Sequence, residues 1–148
     1  MSRRVVLDTH VVLDWLWFQN EEIRWIGDGV ASRAFVPLVH VATLDELRRV
    51  LDYPALRIDK NRQSELLTRY ETAAVTPPLP TGFSREQLML PETMRRCRDS
   101  DDDIFLAIAY HGKADALITK DKALLKLRKN AARHGVRIFN PIEWSREV

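Results

Sequence analysis

The sequence predicts an α/β fold with a central parallel sheet of about five strands and helices on both faces. Short apolar, β-branched runs alternate with longer segments of helical hydrophobic spacing, as in βαβ units. Acidic residues follow two of these runs, at the edge where open α/β sheets bind ligands. The expected strands are residues 4–7, 34–36, 74–76, 114–119 and 136–139.

Helical spacing fills the segments between these runs. In residues 43–52, for example, Leu44, Leu47, Val50 and Leu51 form one apolar arc at about 100° per residue. Asp59 is a suitable N-cap for another helix. The expected helices are residues 11–18, 21–30, 43–52, 60–73, 84–96, 104–110 and 122–133, with a last helical turn at 141–144.

Size and composition suit one domain, residues 1–148. The chain is 45% hydrophobic and 30% charged, which allows a sizeable core. It has no run of about 18 apolar residues, so we expect no membrane span. The strand-like start argues against a signal peptide. Cys97 is the single cysteine, so a reducing cytoplasm is the expected compartment and a thiolate zinc site is excluded.

Basic residues are concentrated near the C-terminus. The formal net charge is only +2, yet residues 113–137 contain eight Lys or Arg against two Asp. Such a surface would attract a polyanion. Lys120, Lys122 and Lys126 are the candidate contacts to its anionic groups. The alternative is a solvated helix face without a binding role.

Two acids are expected at the carboxyl ends of strands. Asp8 follows the strand of residues 4–7, and Asp121 follows the strand of residues 114–119. Because parallel strands end at the same edge of a sheet, these carboxylates should lie near each other. Asp8 also suits the N-cap of the next helix, and that purely structural role is the alternative.

Helices are expected to bring two more acids to this edge. Glu46 borders the apolar arc of its helix, although an ordinary boundary glutamate would look the same. Asp102 or Asp103 opens the buried helix of residues 104–110, and Asp102 fits better because it shares a face with Phe105. Asp99 lies just upstream, as a supporting acid or as a favourable charge at the helix N-terminus.

Carboxylate oxygens without a Cys or His cluster suit a hard cation, Mg²⁺ or Mn²⁺. Such an ion activates water and neutralises phosphate charge, so a carboxylate-held metal beside a basic surface indicates phosphodiester hydrolysis. The sequence contains no P-loop and no Gly-x-Gly-x-x-Gly motif, which argues against a nucleotide-binding turn.

Four segments together resemble the PIN domain, and more narrowly the VapC-like toxins of bacterial toxin–antitoxin pairs. They are VVLDTH at residues 5–10, LDELRRVL at 44–51, DSDDDIFLA at 99–107 and ADALITKD at 114–121. The resemblance implies a Mg²⁺- or Mn²⁺-dependent endoribonuclease, with a cognate antitoxin and a homodimeric assembly.

The resemblance also implies residue roles. The four acids of the family fall on Asp8, Glu46, Asp102 and Asp121, of which Asp8, Asp102 and Asp121 would bind the metal. The small hydroxyl positions that the family has near the metal fall on Thr9 and Thr119. Asp99 and Asp103 are added as supporting acids from their place beside Asp102 in the sequence. Two residues depart from the family pattern, His10 in place of the usual Asn and Lys120 in place of a small residue.

Two other functions are compatible with the same pattern. A PIN-like scaffold of weak catalytic activity could bind RNA or a protein through the basic segment. A receiver-like phosphoacceptor domain also has acids at strand ends, but it requires a pair of acids near its first strand, which this chain lacks.

Overall fold

Four parallel strands form the sheet of the computed structural model, which describes residues 2–97 and 100–148, without the side chain of Ser100. The strands are β1 (Arg3–Leu7), β2 (Phe35–Pro37), β3 (Ala116–Ile118) and β4 (Ile138–Phe139). Their order across the sheet is β2-β1-β3-β4. Val5 is in register with Pro37 on one side and with Ala116 on the other.

Eight α-helices and three short 3-10 turns surround this sheet in the described part of the chain. The helices are α1 (Thr9–Leu16), α2 (Arg24–Ala31), α3 (Val41–Leu51), α4 (Lys60–Ala73), α5 (Asp103–His111), α6 (Lys122–Leu125), α7 (Arg128–Arg133) and α8 (Pro141–Glu147). The 3-10 turns are Glu21–Ile23, Pro54–Leu56 and Ser100–Asp102. None of these helices has the length and apolarity that crossing a bilayer requires.

Alternating side chains of the central strands feed two hydrophobic cores, one on each face. Val5 and Leu7 point into the core that contains α1 to α4 and Trp144 of α8. Val6 and Leu117 point into the other, built mainly on α5. This period of two explains why the strands read as continuous apolar runs: both faces are covered. The predicted α/β class is confirmed.

The segment of residues 74–76 contributes less than the strand we predicted. Val75 makes a single parallel bridge with Leu38. Its N–H bonds to the carbonyl of Pro37 at 2.9 Å, and its carbonyl accepts from Val39 at 3.0 Å. Pro77 and Pro78 follow and have no N–H to extend the ladder, so the pairing stops there.

Two predicted helices differ from the observed ones. Residues 84–96 are not helical; Ser84 and Gln87 instead form a tight turn with backbone hydrogen bonds of 3.1 Å in both directions. The basic helix of residues 122–133 is divided into α6 and α7, because the N–H of Leu127 bonds to the carbonyl of Leu124 rather than continuing the α-helical pattern.

The strand order determines where a ligand site can form. From β1 the chain moves to β2 on one side of the sheet, and later to β3 on the other side. The loops after β1 and β3 therefore separate and leave a crevice beyond their carboxyl ends, as in other open α/β sheets. Asp8 and Asp121 are the acids that follow these two strands.

Candidate active site

A cavity of about 400 Å³ lies at this crevice. Each of the four predicted acids lines it, although they come from separate parts of the chain. The lining residues are Asp8, Thr9, His10, Leu13, Glu46, Arg49, Val50, Tyr53, Arg85, Asp101, Asp102, Phe105 and Asp121. The fold thus brings together carboxylates that lie up to 113 positions apart, from Asp8 to Asp121.

Asp8 is the most enclosed of these acids, with 4% of its surface exposed. It caps α1, since one carboxylate oxygen accepts from the backbone N–H of Val11 at 3.0 Å. The other oxygen accepts from the hydroxyl of Thr119. Burial raises the pKa of Asp8, while these two hydrogen bonds act in the opposite direction. The capping role and the position in the cavity therefore coexist in one side chain.

Thr119 connects the two strand ends. Its fully buried hydroxyl donates to Asp8 and accepts from the backbone N–H of Asp121 at 2.9 Å. Asp121 in turn caps α6 by accepting from the N–H of Ala123 at 2.7 Å. The positions of both carboxylates thus depend on one threonine.

Glu46 reaches the cavity from the side of α3. It is partly buried, and one of its carboxylate oxygens accepts from the hydroxyl of Thr9. Thr9 is the first residue of α1, directly after Asp8. The two threonines that the resemblance singled out therefore each bond to a different carboxylate of the cavity.

Asp102 and Asp121 form a hydrogen-bonded pair of acids. Burial, followed by the hydrogen bond to Asp121, raises the pKa of Asp102 to about 7. The same hydrogen bond is the main reason that the pKa of Asp121 is lowered. The charges of Asp8 and Glu46 raise the pKa of Asp102 further, so the four acids interact electrostatically.

Asp103 points elsewhere. It is 3% exposed, and its carboxylate accepts from the backbone N–H of Cys97 at 2.7 Å. It does not line the cavity, whereas Asp102 does. The structure therefore places Asp102 at the cavity and Asp103 against the preceding backbone, and the role of Asp102 in catalysis stays a prediction. Asp99, the other predicted supporting acid, lies outside the described residues.

The three lysines predicted to contact RNA are exposed. Lys120 already has a partner, because its ammonium lies 2.5 Å from the carboxylate of Asp14 on α1. None of the three lines the cavity. Their proposed contacts to phosphate remain a prediction.

Arg49, Tyr53 and Arg85 line the cavity without having been predicted from the sequence. A signal was present for Arg49, which lies three positions after Glu46 and so recurs on its side of α3, whereas Tyr53 lies beyond the end of the helix. Arg85 lies in an irregular loop, for which spacing gives no such signal.

The acids of the cavity have the donor chemistry of a hard-cation site. Each offers carboxylate oxygens, the ligands that Mg²⁺ and Mn²⁺ prefer. Their mutual repulsion, visible in the raised pKa of Asp102, is what a divalent cation would offset. Across residues 2–97 and 100–148, however, no three His, Cys, Asp or Glu side chains form a ready-made metal-ligand group. The acids of the cavity thus match a hard cation in the chemistry of their oxygens and in their location, but they are not assembled as a ligand group.

Comparison with known proteins identifies the family. A family model described as PIN domain matches residues 4–123, a range that contains all four acids of the cavity. The chain is also 30% identical over 128 residues to the uncharacterized protein MJ1680 of Methanocaldococcus jannaschii. This alignment covers 84% of this chain and 75% of that relative. No solved structure matches significantly. PIN domains are generally nucleases and typically use divalent metals. This chain belongs to the PIN domain family, and its fold is of the nuclease type.

Proposed function

We propose that this PIN domain protein is a Mg²⁺- or Mn²⁺-dependent endoribonuclease that hydrolyses RNA phosphodiester bonds. The observation that carries the proposal is the cavity in which Asp8, Glu46, Asp102 and Asp121 meet beyond the carboxyl ends of β1 and β3. Carboxylates on a nuclease-type fold, with no thiolate or histidine cluster in the sequence, favour phosphate chemistry assisted by a hard cation.

In this proposal Asp8, Asp102 and Asp121 hold the cation. When bound, the cation supplies neutralisation of phosphate charge and activation of water. Thr119 and the N-terminus of α1 fix the carboxylate of Asp8 before substrate arrives. Glu46, oriented by Thr9, is then the carboxylate available to orient a water molecule and accept its proton.

We also propose the biological setting that the VapC-like motifs imply. The protein would be the toxin of a toxin–antitoxin pair, inhibited by a cognate antitoxin, homodimeric and cytoplasmic, with residues 1–148 as one domain. The sequence segments around Asp8, Glu46, Asp102 and Asp121 support the toxin assignment, and the single cysteine supports a reducing compartment.

A cleavage assay tests the enzymatic proposal. The purified chain, free of any antitoxin, should cleave single-stranded RNA with Mg²⁺ or Mn²⁺ and stop in EDTA. Asp8→Asn and Asp102→Asn should abolish cleavage. The control Asp28→Asn removes an exposed carboxylate on α2 and should remain active. Cleavage that persists in EDTA, or equally in the two site variants, would contradict the proposal.

The scaffold alternative has its own support in two residues near the site. His10 lines the cavity where the family usually has Asn, and Lys120 is paired with Asp14. RNA binding without cleavage in either metal, over a range of RNA sequences, would favour this alternative.

A further inference from the structure

One wall of the cavity differs in chemistry from the acids. Arg49 and Tyr53 at the end of α3, together with Arg85 from the loop after α4, line the cavity that the four acids share. We call these three residues the basic wall. An entirely acidic cavity would repel an RNA phosphate, so cations within the same 400 Å³ are informative about the substrate.

Arg49 is a cation without a carboxylate partner among residues 2–97 and 100–148. Its neighbour Arg48 differs, because its guanidinium lies 2.6 Å from the carboxylate of Asp45 and it does not line the cavity. The adjacent arginines therefore separate into one that forms an ion pair on the helix surface and one that is left to face the cavity. A guanidinium with unused N–H donors is suited to phosphate oxygens.

Arg85 is held in place by its own contacts. Its guanidinium donates to the carbonyl of Asp101 at 3.2 Å and to that of Ala42 at 3.4 Å, which leaves other N–H groups available. The loop is anchored nearby, because the ring of Phe83 packs edge-on against His40 and His111 at centroid distances of 5.2 and 5.7 Å. Arg85 thus spans from the start of α3 to the turn that carries Asp102.

Tyr53 supplies an aromatic surface at the same wall. Its side chain is 55% exposed, although it lines the cavity. An exposed ring that follows the last turn of a helix buries little area in the core, so packing does not explain it. Aromatic rings beside arginines are the usual means of holding single-stranded nucleic acid, since an unpaired base stacks on the ring while cations bind the backbone.

We infer that the basic wall holds single-stranded RNA against the acids, with a base stacked on Tyr53 and the flanking phosphates bound by Arg49 and Arg85. This inference deepens the proposed ribonuclease function and rests on it for the choice of RNA. It assigns substrate binding to the cavity wall rather than to Lys120, Lys122 and Lys126. A duplex should bind less well, because its bases are already stacked and cannot reach the ring.

Binding is best measured without cleavage, by fluorescence anisotropy of a labelled single-stranded oligoribonucleotide in EDTA. Tyr53→Leu should weaken binding about tenfold or more, and Tyr53→Phe should restore it, because stacking requires only the ring. With a fully abasic strand, Tyr53→Leu and the wild type should bind equally. The matched control is Phe18→Leu, which removes an aromatic ring of 56% exposure outside the cavity.

The arginines are tested by salt dependence. Arg49→Gln should weaken binding and lower the salt slope by about 0.7, the value for one phosphate contact on a single strand. The adjacent Arg48→Gln is the matched control and should leave both quantities unchanged. Because Arg85 also holds two carbonyls, Arg85→Lys is compared with Arg85→Gln: the two variants should melt alike, since both lose the guanidinium contacts, and only the lysine should keep the salt slope.

The inference is overturned if Tyr53→Leu binds like the wild type, if Arg48→Gln is as damaging as Arg49→Gln, or if duplex RNA binds as tightly as the single strand. It is also overturned if the triple variant Lys120→Ala, Lys122→Ala, Lys126→Ala loses binding while the wall variants keep it. These outcomes are independent of catalysis. A chain that binds through the wall but never cleaves refutes only the nuclease, and a chain that cleaves with unaffected wall variants refutes only the wall.

Discussion

Replacing Asp102 by Asn should make the chain more stable at alkaline pH in EDTA, while abolishing cleavage. Asp102 lies among three other acids, and its pKa is raised from 3.8 to about 7 by burial and by its interactions with Asp121, Asp8 and Glu46. Ionising Asp102 therefore costs more free energy in the native state than in the unfolded chain. Asn removes this cost and keeps an N–H₂ group that can donate to Asp121.

The sign and the pH window follow from the raised pKa. Between pH 3.8 and about 7 the native state holds a proton that the unfolded state has lost, so stability falls as pH rises through this range. A shift of this size corresponds to about 4 kcal/mol for a carboxyl sealed from water. Because water reaches this half-buried side chain, we expect about 1–2 kcal/mol. For a chain of this length that is about 3–6 °C in melting temperature.

Melting curves at pH 4.5 and pH 8.5, with EDTA or Mg²⁺, measure the effect. In EDTA the variant should melt above the wild type at pH 8.5 and close to it at pH 4.5. Mg²⁺ should raise the melting temperature of the wild type, since it binds the folded site, and should raise that of the variant much less. Asp103→Asn is the adjacent control and should keep both cleavage and the Mg²⁺ response, because Asp103 bonds to Cys97 outside the cavity.

Two results would refute this reasoning. If Asp102→Asn is less stable than the wild type at pH 8.5, the acids do not repel each other as inferred. If Asp103→Asn is inactive and Asp102→Asn is active, the assignment of the acid at the start of α5 is wrong by one residue.

Two further substitutions test the support around the site and the packing of the fold. Thr119→Val removes the donor to the buried carboxylate of Asp8 and should lower the free energy of unfolding by about 1–3 kcal/mol in urea titration. Thr119→Ser keeps the hydroxyl donor and should retain most of the wild-type stability. Gly29→Ala should cost about 1–3 kcal/mol, because a Cβ there would lie 2.1 Å from a ring carbon of Phe35; an unchanged melting temperature would show that the ring moves freely.

Helix caps and apolar runs in the sequence predicted the elements whose formation depends on neighbouring residues. Helix α4 begins after Asp59, as its capping chemistry predicts, and the side chain accepts from the N–H of Arg62 at 2.9 Å. The strands β1 and β3 were recognisable because both of their faces are buried. The segment of residues 74–76 has the same composition, but its pairing is limited by the prolines that follow it, and composition alone does not record that limit.

The acids of the site were predictable because each is tied to a regular element. Asp8 and Asp121 each follow a strand and cap a helix, and both roles favour an aspartate between a strand and a helix. Asp102 could be separated from Asp103 only by which helical face each shares; in the structure Asp102 lines the cavity, whereas Asp103 accepts from the backbone N–H of Cys97. Thr119 was named only through the family resemblance, since its link between the two strand ends exists only after β1 and β3 pair.

The residues of the basic wall were not predicted from the sequence pattern. Glu46 was predicted because it borders the apolar arc of α3. Arg49 recurs one turn later on the same side, and Tyr53 follows two residues after the helix ends. Together, Glu46, Arg49 and Tyr53 supply an acid, a cation and an aromatic ring, a combination that fits a polyanion better than a metal ion alone. Arg85 could not have been added, because it reaches the cavity through contacts with backbone carbonyls more than 15 residues away in sequence. Acids at strand ends can hold a cation, but a cavity that also admits RNA, as we propose, requires positive charge on a facing surface, and that surface forms only when the chain folds.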